Sequence, residues 1–155
     1  GFGLNASYWG FYLQADFIFE WGKNMINNDR FFMENPNVFY GENQSKELLK
    51  RSHWKQPGDN AYYPRADVQR WTNFDDRLIE DASFIRMKNF TFGYIVPRQW
   101  VAKTRFFSSA KAYMTLRNYL TFTNYSGADP EPSINLQLGA NPNTKQILFG
   151  IDLTF

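Results

Sequence analysis

The ten residues Gln146-Ile147-Leu148-Phe149-Gly150-Ile151-Asp152-Leu153-Thr154-Phe155 constrain the fold more than any other stretch of the chain. Ile147, Phe149, Ile151, Leu153 and Phe155 share one face of an extended segment; Gln146, Leu148, Gly150, Asp152 and Thr154 share the other. Side chains of a strand point alternately to its two faces, so this period of two predicts a strand with one apolar and one mostly polar face. About ten residues is also the length a tilted membrane-spanning strand needs. Chain ends in water tend to fray, whereas a membrane barrel pairs its last strand with its first, and an outward aromatic at that end suits the membrane interface. Two expectations follow: the closing strand of a membrane barrel, or an amphipathic edge strand of a soluble sheet.

Composition bears on that choice. Of 155 residues, 43% are hydrophobic and 19% aromatic, with 16 Phe, 9 Tyr and 5 Trp, yet the mean hydropathy is −0.53. Rings set among polar residues suit strands with aromatic girdles better than a soluble core filled with Leu, Val and Ala. The formal charge of +2 gives no reason to expect nucleic acid as a partner. Without cysteine there is neither a disulfide framework nor a thiolate site. No run approaches the roughly 18 apolar residues of a transmembrane helix, which leaves a β-barrel untouched. The sequence opens on Gly1-Phe2-Gly3-Leu4, already mid-strand in character and with no initiator Met or signal peptide, so a C-terminal piece of something longer is expected.

Taken in order, residues 2–8 alternate, with Phe2, Leu4, Ala6 and Tyr8 opposite Gly3, Asn5 and Ser7. Trp9-Gly10 predicts a tight turn. Residues 11–21 repeat the pattern, with Phe11, Leu13, Ala15, Phe17, Phe19 and Trp21 opposite Tyr12, Gln14, Asp16, Ile18 and Glu20. This is a hairpin. A wet inside holding Asp16 and Glu20, with Phe17 and Phe19 outside, inverts a soluble protein and is typical of a porin-type barrel. A third strand is expected over 84–96. Its Ile85 and Met87 are out of step with Phe90, Phe92, Tyr94 and Val96, which a bulge near Lys88-Asn89 would reconcile. A fourth strand is expected over 110–122, with Tyr113 and Arg117 facing inward, and the fifth is 146–155, where Phe149, Ile151, Leu153 and Phe155 close the barrel.

The stretches 22–82 and 123–144 lack alternation and hold six of the seven prolines, the seventh being Pro97. Loops this long are usually functional. Trp54, Tyr62, Tyr63, Arg65 and Trp71 in the first combine aromatic planes with planar charge, a way to hold sugars or peptides. The alternative is that these rings form the loop's own small core. With short turns at Trp9-Gly10 and 98–109 and long loops between, the outer-membrane rule puts the turns in the periplasm and the loops outside.

Two blocks resemble a known family. Asp81-Ala82-Ser83-Phe84-Ile85-Arg86-Met87-Lys88-Asn89-Phe90-Thr91-Phe92-Gly93-Tyr94-Ile95-Val96-Pro97 is the first, and Leu116-Arg117-Asn118-Tyr119-Leu120-Thr121-Phe122-Thr123-Asn124-Tyr125-Ser126-Gly127-Ala128-Asp129-Pro130-Glu131 the second. Both are similar to the C-terminal end of the SusC/RagA-type TonB-dependent outer-membrane transporters of Bacteroidota. Tyr63-Pro64-Arg65 and the Leu-Thr-Phe ending fit as well. Leu116-Arg117-Asn118-Tyr119 departs from the family's usual Gly-Gln-Asn-Leu. The resemblance is specific in the second half and one of layout in the first. It implies an all-β, antiparallel transmembrane barrel of about 22 strands with a plugged lumen, of which this chain is the last five. It further implies import of oligosaccharides or peptides, energy from the TonB complex through a region not present here, and a SusD-like lipoprotein as lid. No cofactor is implied.

Enzymatic chemistry finds no support. His53 is the sole histidine, and with no cysteine a familiar zinc or triad site cannot be assembled. Asp129 and Glu131 would suit calcium together with loop carbonyls, although a turn closed by Asp129-Pro130 explains them more simply. The alternative of another class is a soluble β-sandwich module that binds carbohydrate, with Phe17, Phe19, Phe90 and Phe92 buried inside.

Overall fold

A computed structural model describes residues 1–35, 41–65, 75–139 and 141–155. In chain order the elements are β1 (Phe2–Tyr8), β2 (Phe11–Glu20), β3 (Asn24–Ile26), α1 (Asn28–Met33), α2 (Glu47–Lys50), β4 (Ile79–Asp81), β5 (Phe84–Ile95), α3 (Arg98–Val101), β6 (Ser109–Arg117), β7 (Thr121–Thr123) and β8 (Gln146–Thr154). They form two compact units. One comprises Gly1–Gly22, Ser83–Asn124 and Pro142–Phe155; the other comprises Lys23–Ala82 and Tyr125–Asn141.

The first unit is an antiparallel sheet in the order β1-β2-β5-β6-β8, with β7 also pairing β5. Trp9 and Gly10 both take positive φ, 48° and 85°, the conformation of a type I′ turn, whose twist matches that of the strands it joins. A Cβ on Gly10 would sit 2.7 Å from the Ile95 carbonyl oxygen, so the turn also needs the missing side chain.

Register decides which residues share a face. Leu4 pairs Ala15, Ala15 pairs Phe90, Phe90 pairs Leu116 and Leu116 pairs Ile147. An apolar row therefore crosses the whole sheet on one side. Between Asp16↔Asn89 and Phe17↔Met87 the pairing skips Lys88. This is the bulge that the out-of-step Ile85 and Met87 call for; one extra residue in β5 returns both halves to the same face. At the same level the fourth strand, expected to run unbroken over 110–122, is interrupted. Asn118 has φ 50° and its N–H reaches the Lys88 carbonyl at 3.1 Å. The chain then resumes as β7 with Phe122 opposite Ile85. A bulge in one strand displaces the hydrogen-bonding groups its neighbour must meet, so the neighbour breaks too.

The second unit, expected as two loops with one helix-like patch over Ser45 to His53, has more structure than that; the patch holds only the single turn of α2. β3 and β4 pair antiparallel. Residues 135–137 run beside β3, with the Ile26 N–H on the Asn135 carbonyl at 2.8 Å and the Gln137 N–H on the Ile26 carbonyl at 3.2 Å. Met25, Ala82 and Tyr125 form the apolar centre. Strands of three residues are too short to display a period, which is why none is legible there.

Candidate functional site

The sheet presents two chemically opposite surfaces. Its apolar face is open: Phe149 and Ile151 are 79% and 72% exposed. Phe2 stacks on Phe17 with ring centroids 4.9 Å apart, and Phe11 on Phe92 at 5.8 Å. A soluble domain does not leave an unbroken surface of Phe, Ile and Leu to water. The soluble-sandwich expectation also fails at Phe19, which it buries and which is half exposed on this face.

The opposite face is polar. Asp16, Glu20, Tyr113 and Arg117, expected to face the interior together, share it by register: Asp16 pairs Asn89, which pairs Arg117. Gln14 donates to the Asp16 carboxylate at 3.2 Å. Thr91 and Thr115 bond across the strands at 2.9 Å, and Lys111 pairs Asp152 at 2.9 Å. The last two cross between strands, and such pairs fix register without apolar burial.

One row on this face runs Tyr12↔Gly93, Gly93↔Tyr113 and Tyr113↔Gly150. Each Tyr ring lies over the glycine of the neighbouring strand. A Cβ on Gly93 would meet the Tyr12 ring at 2.5 Å, and one on Gly150 the Tyr113 ring at 2.3 Å. Any side chain at these two glycines would lift the rings off the sheet.

The second unit is organised by Arg30 in α1. Asn27 caps that helix, its side-chain oxygen accepting the Arg30 N–H at 3.3 Å. The guanidinium places all five of its N–H donors. Nε and Nη2 bind Glu34 at 2.9 and 3.1 Å, Nη1 binds the Arg77 carbonyl at 2.9 Å and Glu80 at 2.8 Å, and Nη2 also reaches the Tyr62 hydroxyl at 2.8 Å. Glu34 in turn accepts the Tyr63 hydroxyl at 2.9 Å. Glu80 accepts the Ser126 N–H and hydroxyl, both at 2.8 Å. The bond to Glu34 outweighs burial and raises the Arg30 pKa. Burial works against ionising Glu80, yet Arg30 and the two Ser126 donors hold its carboxyl below the usual value. Burial, aided by Glu34, raises the Tyr63 hydroxyl, and burial pushes Tyr125 up to about 12.

The expected aromatic contact residues separate here. Tyr63 is 1% exposed and spends its hydroxyl on Glu34, so it belongs to the unit's core and is no contact residue; adjacent Tyr rings packing edge to face leave it no free surface. Tyr62 is half-buried, with Arg51 stacked 4.1 Å over its ring. Trp54 is half-buried and Arg65 exposed. Trp71 lies outside the described residues. A groove of about 580 Å³ runs past Leu48, Arg51, His53, Lys55 and Asp59. Asp129 accepts the Glu131 N–H at 3.0 Å, a local turn, and among the described residues no three His, Cys, Asp or Glu converge as a metal site. Arg30 and Glu34 were missed in the sequence. Their i, i+4 spacing is visible there, but nothing adjacent announces that Glu80 and Tyr62 meet them.

A five-strand antiparallel wall, apolar on one face and polar on the other, defines the class: a segment of a transmembrane β-barrel. No protein-family model matches the chain. It is 32% identical to TonB-dependent receptor P3 of Formosa agariphila over 66% of this chain and 11% of that receptor. It is 31% identical to TonB-dependent receptor SusC of Bacteroides thetaiotaomicron over 52% of this chain and 8% of that receptor. Against the RagAB peptide importer in its open-open state it superposes with a TM-score of 0.85 at 38% identity, covering 99% of this chain and 16% of that one. The chain is a portion of the barrel of a SusC/RagA-type TonB-dependent receptor. Its relatives are receptors and transporters rather than enzymes.

Proposed function

We propose that the complete receptor is an outer-membrane active importer of oligosaccharides or peptides, driven by the TonB complex and capped by a SusD-like surface lipoprotein. This chain supplies part of its wall. The apolar face meets lipid, Asp16, Glu20, Tyr113 and Arg117 line the lumen, and the Trp9-Gly10 turn and the 98–108 connector lie on the periplasmic side. Trp54, Tyr62, Arg65 and Trp71 contact substrate or lid from the extracellular loops. The observation supporting this reading is the register, which keeps one face apolar across all five strands. A further support is likeness, over nearly the whole of this chain, to a protein described as a peptide importer. That likeness favours peptide over glycan as cargo.

The test is uptake by cells carrying the full receptor, with labelled peptides and oligosaccharides offered separately. Accumulation of one class, abolished when TonB is removed, is the expected result; uptake that survives loss of TonB would make the barrel a passive pore. Trp54→Ala with Trp71→Ala should weaken uptake or lid docking and leave the amount of receptor in the outer membrane unchanged. If both uptake and docking persist in that double variant, the loop assignment is wrong.

A further inference from the structure

At the sheet end that carries the Trp9-Gly10 turn, the connector from β5 to β6 folds as α3 followed by a 3₁₀ turn at Ala102–Thr104. Buried Val101 pins it, and the Thr104 hydroxyl donates to the Val101 carbonyl at 2.7 Å. Arg105, with φ 59°, ends the turn. Arg98, Lys103 and Arg105 are all exposed, and among the described residues none of them has an acidic partner. No Asp or Glu occurs between Asp81 and Asp129, so an acidic partner has to come from another strand. Lys111, the next cation along, differs in reaching Asp152 on the polar face.

Trp100 stands between Arg98 and Lys103 in the chain and Phe106 follows Arg105; they are 60% and 77% exposed. Phe107 packs on Phe155 at 5.1 Å, which joins the connector to the apolar face through the last residue of the chain. Exposed Trp and Phe at the rim of an apolar belt sit at headgroup depth. Cations placed among them lie in the plane of lipid phosphates, where Arg binds a phosphate oxygen pair and Lys acts as a point charge. A surface whose exposed cations are not paired to acidic side chains selects for negative headgroups.

We propose that residues 98–106 form a binding site for the phosphodiester headgroups of anionic phospholipid, with Arg98, Lys103 and Arg105 as the ligating cations. It rests on the membrane reading above and adds headgroup selectivity at one rim. The test uses the full-length receptor, purified in detergent and placed in bilayers of phosphatidylcholine with or without phosphatidylglycerol. Retained lipid is then counted by native mass spectrometry. The receptor should hold phosphatidylglycerol in preference. Neutralising a cation should weaken that preference about five-fold, and R98Q/K103Q/R105Q on the order of a hundred-fold. R98K/R105K, which keeps the charge, should retain most of it. An unchanged preference in the triple variant, or equal retention of both lipids by the unaltered receptor, overturns the proposal while leaving the membrane reading intact. Competition by millimolar inorganic phosphate alone would also overturn it, since the site would then be a free-anion site. A receptor that enters neither bilayer and stays monodisperse without detergent would instead sink the membrane reading itself.

Discussion

The sheet and the unit built from residues 23–82 and 125–141 place apolar and charged side chains under opposite rules. In the sheet Phe149 and Ile151 stand in the open, while Lys111, Asp152, Thr91 and Thr115 are matched on the other face. In the second unit Met25, Tyr63 and Tyr125 are buried and a charged network of Arg30, Glu34 and Glu80 is drawn in among them. The surrounding medium explains the contrast. Where hydrocarbon bathes one side, apolar groups lose nothing by facing out, and stability comes from backbone pairing that no lipid can replace. Where water surrounds a short irregular chain, apolar area is scarce, and a fully partnered ionic cluster holds the segments in register. Such a cluster is only as good as its last partner.

The largest effect should come from breaking that cluster. Arg30→Ala leaves Glu34 and Glu80 without their counter-charge and should cost the second unit about 3–5 kcal/mol. Limited proteolysis of the detergent-solubilised receptor reads it as new cleavage within 23–82 and 125–141, with the strands of the sheet still protected. Equal protection in both proteins would mean that the network is ornamental. Next, Phe90→Arg puts a charge at mid-height on the apolar face and should cost ~2–4 kcal/mol in lipid, whereas Thr91→Arg, one residue on and facing the other way, should be tolerated. Urea titration in lipid vesicles measures both. If the two substitutions cost the same, the faces are not as assigned.

The smallest effect concerns acid. Glu80 has its folded pKa below its unfolded value, so its contribution is complete above the ordinary glutamate value of about 4.3. It is lost as pH falls through the lower folded value. Cleavage within 23–82 should therefore rise only below pH ~4, and Glu80→Gln should flatten that rise. A rise beginning near pH 6 would point to another group.

The sheet was readable because a period of two repeats across many residues. The bulge at Lys88 was suggested by the pattern but not demanded by it: Met87 and Phe90 share a face only with an extra residue between them, and nothing in the sequence requires that they do. The break at Asn118 was not readable, because it answers a displacement in a different strand. In the second unit Tyr62, Tyr63 and Trp54 were picked out as one aromatic group. Adjacency could not tell which ring turns inward; that is decided by Glu34, distant in sequence from Tyr63 and bonded to it only in the fold. Contacts between segments of irregular chain leave no periodic trace.

The Tyr12–Gly93 and Tyr113–Gly150 pairs bear on how much room a pore has. A tyrosine projecting straight from a barrel wall would narrow the bore by nearly its own length. Laid flat over a glycine, it takes up only the thickness of a ring, and still presents a hydroxyl and an aromatic plane to whatever passes. With this face lining the lumen, as proposed above, the channel would keep its clearance over this stretch of wall while its lining stays chemically rich. Substituting either glycine would turn a papered wall into one with pegs.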